Sequence, residues 1–408
     1  MKLSQLDHKK ILILGYGKEG QATEKFLKKK CPQIIIGIAD KKFSADYLDC
    51  QKDFDLVIKS PGITKEKVTI PYTTATNIFF ANTTNMIIGV TGSKGKSTTA
   101  SLIYHILQAA NKKVRLVGNI GNPVILELLN PSDEKTIFVM ELSSYQLDDI
   151  KYSPHIAVIT NLFPEHMDYH RGLDKYFSAK KNIIRYQKND DYFVYNQQSK
   201  ILSDWSKDTV GKPIPFDPMI NTGQINLPLI GQHNIDNMRA ALSVCRLLRV
   251  EDNTIIQSFK TFKPLPHRLE FVGRFADIEF YDDAISTAPE STIAAIESLK
   301  NIGTIFLGGE DRGYDFRQLA EIILENKIPN IILFPDSGEK INQELTKTKK
   351  SLPKIFETTS MEDAVKFAYQ NTPKNTICLL STASPSYSLW KNFEEKGNQF
   401  KSFVKKYA

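Results

Sequence analysis

The sequence predicts an α/β protein of three domains, on three observations. Residues 11–27 and 86–103 each run from a short apolar segment through a glycine turn into helical periodicity. Beyond them, short apolar runs keep alternating with longer stretches of helical period, the pattern of parallel sheets flanked by helices. The chain, at 408 residues, also exceeds what one ordinary core holds. The expected boundaries are 1–83, 84–263 and 264–408, with the Pro-containing stretch KPLPHRLE beginning at Lys263 near the second junction.

Composition narrows the class. A hydrophobic content of 41% and a charged content of 24% are ordinary for a soluble globular protein. The formal charge of +7 is modest and the lysines are scattered, with the densest early cluster at residues 28–30. That argues against a nucleic-acid groove and suits small anionic substrates. Cys31, Cys50, Cys245 and Cys378 form no C-x-x-C pair, and residues 11–14 are too short an apolar run for a secretory signal. Reduced thiols, a cytoplasmic location and no membrane span are expected.

In the first domain Gly15, Gly17 and Gly20 spell G-x-G-x-x-G after a strand. A second strand at residues 34–38 ends near Asp40, where an acidic ribose ligand belongs, and a third at 56–58 runs into Ser60, Pro61 and Gly62. This Rossmann-like pattern reads as a site for a diphosphate-bearing ligand, either NAD or a UDP-sugar, or as a turn that only packs helix on strand.

The middle domain opens with a buried parallel strand at 86–90, a turn at 91–95 and a helix from Ser97. Glycines let backbone N–H groups point into one cavity, the helix N-terminus adds positive potential, and Lys96 supplies a mobile charge. The Ser97 hydroxyl is placed to ligate the magnesium that travels with a nucleotide. Gly92, Ser93, Lys94, Gly95, Lys96, Ser97 and Thr98 are therefore expected to cradle ATP. The general P-loop pattern has glycine where this chain has Val90, and Gly89 stands one place early. Strands at 137–140 and 156–160 deliver Glu141 and Asn161 at their C-terminal ends, where open parallel sheets keep their ligands. With His166, these are expected to converge on the Lys96 turn. Helices are expected at 176–186 and 231–248, and last-domain strands at 278–281, 304–307, 330–334 and 376–380. Taken alone, Lys180 reads as an exposed helix lysine. His166 and His170 have the spacing of a zinc pair but lack a further His/Cys cluster.

TGSKGKST at 91–98, GNIG at 118–121, ELSSYQL at 141–147, NLFPEHMDYH at 161–170, Lys180, GQHNIDN at 231–237 and PHRLE at 266–270 stand in one fixed order. Over nearly the whole chain this set resembles the Mur ligases, the ATP-dependent amino-acid ligases of peptidoglycan precursor synthesis. ELSSYQL, GNIG, the short N-terminal domain and KNFEEKGNQF at 391–400 point, within that family, to addition of glutamate. The resemblance implies a UDP-binding first domain, a central P-loop ATPase domain with a mostly parallel sheet, and a Rossmann-like C-terminal domain that binds the amino acid. It implies ligation of glutamate, with D-glutamate expected, to UDP-N-acetylmuramoyl-L-alanine through an acyl phosphate, in service of the cell wall, cell shape and cell division. ATP, two Mg2+ ions and CO2, held as a carbamate on Lys180, are the implied cofactors.

Such chemistry places negative charge on crowded oxygens, so cations are the main catalytic device. By the resemblance Ser97 and Glu141 would hold one magnesium and His166 the second. Carbamylation would turn Lys180 from a cation into a carboxylate-like anion beside them, with Lys96, Glu141, His166 and Lys180 as the catalytic set. Asn234, Asn237, Arg268 and Asp283 would line the nucleotide, Arg268 only when the last domain closes. Gly15, Tyr16, Gly17, Lys18, Asp40, Lys41, Ser60, Pro61, Gly62, Asn119 and His166 would meet the UDP substrate, and Thr287, Arg312, Ser386 and Phe393 the glutamate. The chain departs from the family's D-S-K-A-T, with Ile285 in the lysine's place, and has Arg312 where another family lysine binds glutamate. Arginine could pair a side-chain carboxylate bidentately, which lysine cannot. L-glutamate is therefore an alternative substrate. A folylpolyglutamate-synthetase-like ligase is another, but has no reason to begin with a GYGKEG domain. An NAD domain fused to an ATPase leaves the third domain unexplained, and an idle scaffold has no need of Lys96, Glu141 and His166 together. The expected partners are the small substrates alone, bound to a monomer.

Overall fold

The computed structural model describes residues 1–130, 132–165, 167–218, 229, 231–347 and 352–408. The strands of the described residues fall into three sheets. The first holds β1 (Lys10–Leu14), β2 (Ile35–Ala39), β3 (Leu56–Lys59) and β4 (Tyr72–Thr73), in the order β2-β1-β3-β4 and all parallel. The second holds β5 (Ile87–Thr91), β6 (Val114–Gly118), β7 (Ile137–Glu141), β8 (Ile156–Ile159), β9 (Tyr192–Tyr195) and β10 (Lys212–Pro215). Its order is β10-β9-β8-β5-β7-β6, again parallel throughout. The third holds β11 (Glu270–Phe275), β12 (Ile278–Asp282), β13 (Ile302–Gly309), β14 (Asn330–Asp336), β15 (Lys354–Glu357) and β16 (Ile377–Leu380), ordered β11-β12-β16-β13-β14-β15. Only β11 runs antiparallel there. The first two sheets belong to one compact unit, which resumes at His233 and ends at Phe262, and the third to a second unit, which takes in Gln232 as well as Lys263–Ala408.

The expected strands appear within a residue or two of their expected places. Those not singled out from the sequence are instructive. β4, β6, β10, β11 and β15 are sheet edges, and the sixth, β9, is a four-residue interior strand beside the edge strand β10. An edge strand is half solvated and lacks the continuous apolar run that marks a strand covered on both faces. β5 is the opposite case. All five of its residues are buried, because β7 and β8 flank it and the helices Lys96–Ala109 and Leu173–Arg185 lie against it. No helix of the described residues is long and apolar enough to cross a membrane.

The first sheet is tied to the second by a buried ion pair. Lys59 ends β3, and its Nζ lies 2.6 Å from Asp149 Oδ2 with both side chains all but sealed from solvent, at 0% and 2% exposure. The Lys59 ammonium also donates to the Ile63 carbonyl (2.7 Å), while Tyr72 donates its hydroxyl proton to Asp149 Oδ1 (2.8 Å). Asn77 Nδ2 donates to the Asp149 carbonyl (2.8 Å), and Asn77 Oδ1 accepts from the Lys151 N–H (2.9 Å). Apolar packing continues across the join, since Ile125 shares a core with Ile11, Phe26 and Ile78. A buried pair is costly to break singly, because the survivor is left as an uncompensated charge. Asp149→Ala is therefore expected to destabilise this unit by about 3–5 kcal/mol in urea unfolding, and Lys59→Met with Asp149→Leu to recover most of that loss.

Candidate active site

The loop after β5 is shaped by two glycines with positive φ, Gly92 at +150° and Gly95 at +80°, the latter capping the helix Lys96–Ala109. Neither has room for a side chain. A Cβ on Gly92 would stand 1.9 Å from Thr160 Oγ1, and one on Gly95 would stand 2.2 Å from Asn237 Oδ1. Asn237 lies on the helix Gln232–Leu247, accepts from the Thr99 hydroxyl (3.2 Å) and donates to Asn234 Oδ1 (3.0 Å). Of the two sequence-predicted asparagines, Asn237 thus lies against the glycine turn and Asn234 lies behind it as its hydrogen-bond partner. Beyond the end of β8, Asn161 brackets Lys94, accepting from its N–H (2.8 Å) and donating to its carbonyl (3.0 Å), and Thr160 donates to the same carbonyl (2.6 Å). Ser93 is buried between the Phe163 carbonyl and the Tyr176 hydroxyl, both at 2.9 Å, and the Lys94 ammonium pairs with Glu165 (2.5 Å). Ser97 is half-buried and Thr98 buried in the first turn of the helix.

Lys96 and Lys180 meet at one atom. The Lys96 ammonium donates to the carbonyls of Gly92 (2.9 Å) and Ser93 (2.7 Å), and Lys180 Nζ donates to the Gly92 carbonyl (2.7 Å). Lys180 is not an exposed helix lysine. It is 1% exposed, and its nitrogen sits 4.9 Å from the centre of the Tyr176 ring. Burial, and then the neighbouring Lys96 charge, hold it well below the ordinary lysine value, with Glu165 and Glu141 pulling the other way. The register aligns Glu141 with Val90 on β5. One of its oxygens accepts from Asn119 Nδ2 (2.8 Å), while the other, Oε2, is buried with no hydrogen-bond partner among the described residues. A buried orphan carboxylate oxygen is rare and suits a hard cation. Glu141 therefore fits magnesium, and Ser97 offers a half-buried hydroxyl in the first turn after the glycine loop. His166 lies outside the described residues. His170 is buried against Tyr145, Tyr169 and Tyr176 with its Nε2 3.0 Å from the Ser144 hydroxyl, which is a structural setting.

The glycine turn of the first sheet is assembled in the same way. Gly15 has φ +90°, and a Cβ on Gly20 would stand 2.2 Å from its carbonyl, so helix Lys18–Lys30 packs tightly on the turn. Ser60 donates to the Gly15 carbonyl (2.7 Å), and Asp40 accepts from the N–H groups of Tyr16 (2.6 Å) and Lys42 (3.0 Å). Burial pushes the Asp40 carboxyl up, but those two N–H groups and the nearby lysines outweigh it and hold it below the usual range. Gly17, Lys18, Lys41 and Gly62 are exposed, and Pro61 accepts the Tyr169 hydroxyl proton (3.0 Å). Lys18 reaches the carbonyl of Gly121 in the GNIG stretch (3.5 Å), beside the exposed Asn119. The turn and that loop therefore face one another. Glu19, passed over in the sequence, is raised by burial to about 7, against the Gln146 hydrogen bond and Lys59.

In the second unit, Thr287, Ser386 and Phe393 line one small pocket, together with Tyr387 and Lys396. The fourth expected glutamate residue, Arg312, stacks over the Tyr387 ring at 5.7 Å. Asp283 is buried and accepts from Ser381 (2.8 Å) and the Leu269 N–H (3.2 Å); burial raises its carboxyl to about 6 against those bonds. Arg268 is flanked by His267 (φ 61°) and Leu269 (φ 44°), a strained backbone of the kind concentrated at functional sites. His267, Glu270 and Asp282 have the spacing of metal ligands, but His267 Nδ1 lies 2.7 Å from Asp282, and Lys401 sits 2.8 Å from Glu270 and 3.7 Å from Asp282. The His267 ring and the Lys401 ammonium satisfy that cluster. Lys396 was missed in the sequence, although helical spacing sets it beside Phe393 and Phe400 on the buried side of its helix.

The family model of the Mur ligase middle domain matches residues 90–216, and that of the Mur ligase glutamate ligase domain matches residues 267–383. A UDP-N-acetylmuramoylalanine–D-glutamate ligase from Acetivibrio thermocellus is 34% identical over 88% of this chain and 84% of its own. One from Christiangramia forsetii is 32% identical over 97% and 99%. Among solved structures, the UDP-N-acetylmuramate-alanine ligase MurC of Thermotoga maritima aligns with a TM-score of 0.64 at 18% identity, over 98% of this chain and 99% of that one. The MurF ligase of the same organism, in complex with ADP, aligns at 0.65 and 15% identity over 99% and 97%. These two likenesses establish a shared fold. With two family domains and over 30% identity along most of its length, the chain belongs to the Mur ligase family.

Proposed function

We propose that this protein joins D-glutamate to UDP-N-acetylmuramoyl-L-alanine with conversion of ATP to ADP and phosphate, in peptidoglycan precursor synthesis. The observation that carries the reading is the meeting of Lys96 and Lys180 on the Gly92 carbonyl, in electrostatic reach of the buried Glu141. Two lysines gathered on one glycine loop that opens a helix N-terminus suit a polyanion. The names of the relatives supply the substrate pair.

The reaction needs two steps. An oxygen of the alanyl carboxylate attacks the γ-phosphorus of ATP and ADP leaves, and the glutamate amine then attacks the acyl carbon and phosphate leaves, with the amine losing a proton. Lys96 would swing from the Gly92 carbonyl to the phosphates, and the N-terminus of the helix Lys96–Ala109 would face them. Ser97 and Glu141 would hold one magnesium, and His166 with carbamylated Lys180 a second, supplying charge that offsets the crowded oxygens. Burial favours the neutral amine of Lys180, the form that adds to CO2 with loss of a proton. Gly15 to Lys18, Asp40, Ser60 and Asn119 would bind the UDP-sugar, and Thr287, Ser386, Phe393 and Arg312 the amino acid.

The direct test is ADP release with ATP, the nucleotide-sugar and each glutamate enantiomer. Release is expected to depend on D-glutamate; dependence on L-glutamate would reassign the stereochemistry, which Ile285 and Arg312 make worth testing, and dependence on neither would end the ligase reading. Lys180→Ala is expected to lose at least 100-fold in turnover, about 2.7 kcal/mol of barrier, with partial rescue by short carboxylates. Lys180→Met should also be the more stable protein. The unfolded chain protonates this lysine at its ordinary value and the folded chain only well below it, so the penalty grows as pH falls through that window. Its gain in Tm should accordingly be larger at pH 6 than at pH 9.

A further inference from the structure

We infer that Lys396 binds the side-chain carboxylate of the incoming glutamate. This inference rests on the ligase reading and names a contact that neither the motifs nor the family domains supplied. Lys396 is 1% exposed, and its ammonium donates to two hydroxyls, Thr382 Oγ1 (2.6 Å) and Ser386 Oγ (3.1 Å). Among the described residues no carboxylate oxygen comes within 4.0 Å of it. The nearest acids are committed elsewhere, Asp282 to His267 and the Ala284 N–H, and Asp283 to Ser381 and Leu269. Burial pushes its ammonium down to about 7 with Asp282 and Asp283 pulling the other way, so a carboxylate bound against it would favour the charged form. It also lines the pocket shared by Thr287, Ser386, Asn392 and Phe393, so an anion entering there would meet it.

The helix holds it in that direction. Gly397 lets the helix Phe393–Lys406 close onto the His267–Asp282 pair, since a Cβ there would lie 2.1 Å from His267 Nδ1 and 2.6 Å from Asp282 Oδ2. Asn392 caps the same helix through the Glu395 N–H (2.8 Å), fixing the turn that carries Phe393 and Lys396. The charge is also needed here. A dicarboxylate needs more than one cation, and Ile285 occupies the place of a family lysine. Arg312 is exposed, stacked on Tyr387, while Lys396 is buried. The amine of glutamate must face out of the pocket to reach an acyl phosphate, and the side-chain carboxylate is the end farthest from it. The buried cation therefore takes the side-chain carboxylate, leaving Arg312 for the α-carboxylate, the reverse of the pairing suggested by arginine geometry alone.

The test uses the full chain at saturating ATP and nucleotide-sugar, with whichever glutamate enantiomer the wild type turns over. Lys396→Met is expected to raise KM for glutamate about 100-fold and to leave KM for ATP and for the nucleotide-sugar within about 3-fold. It should also shrink the preference in kcat/KM for glutamate over glutamine of the same hand by a similar factor. Lys396→Gln, which keeps polar contacts to Thr382 and Ser386, is the companion should the Met variant fail to fold, with the same expectation; Lys396→Arg should restore much of the preference. An unchanged glutamate KM overturns the inference. A raised KM with the glutamine preference intact also overturns it, because the contact would then be to the α-carboxylate common to both. A wild type that uses neither enantiomer would sink the ligase reading itself, whereas an active wild type beside an indifferent Lys396→Met sinks this inference alone.

Discussion

Two amines share the carbonyl of Gly92, and much of the first unit is arranged to let them. Lys96 reaches it from the first turn of the helix after β5, and Lys180 from a helix that begins about eighty residues later. The Lys96 charge is one of the causes, after burial, that hold Lys180 below the ordinary lysine value, and a single carbonyl dipole would compensate a second charge poorly. The loop is therefore predisposed to receive negative charge, and the orphan oxygen of Glu141 beside it is predisposed to receive a cation. The opposite needs of these groups are met together by a metal–nucleotide complex.

The second unit repeats that logic with different chemistry. Thr287 follows β12, Arg312 follows β13 and Ser386 follows β16, so the pocket is gathered from C-terminal ends of parallel strands, as the glycine loop is from β5, β7 and β8. Parallel strands point all their C-terminal loops the same way, which lets residues distant in sequence converge without distorting the sheet. The first sheet follows the same rule with Gly15, Asp40 and Ser60.

How much of this was legible in the sequence follows from burial. Interior strands such as β5, β7 and β13 are buried throughout and built on apolar runs that announce themselves, whereas β10 (Lys-Pro-Ile-Pro) and β15 sit at sheet edges and do not. The glycine turns were legible because a steric demand leaves a compositional mark: Gly92, Gly95 and Gly15 each have a neighbour where a Cβ would go. Buried charges were the hard cases. Lys59, Lys180 and Lys396 look like surface lysines until their partners are in view, and those partners lie 90, 88 and 14 residues away (Asp149, Gly92 and Thr382). For Lys59 and Lys396 the only local hint was a lysine at an apolar position of a strand or helix. Lys180 was recognisable as special only through its place in an ordered set of motifs.

The seat of Asn237 against Gly95 has a consequence for biosynthesis. Asn237 and the Thr99 it bonds are 138 residues apart in sequence. A ribosome adding about 5–20 residues per second needs on the order of ten seconds to cover that gap. During that interval the emerging glycine loop lacks the side chain that closes over it, and the nascent protein must keep a half-walled nucleotide cradle out of unproductive contacts.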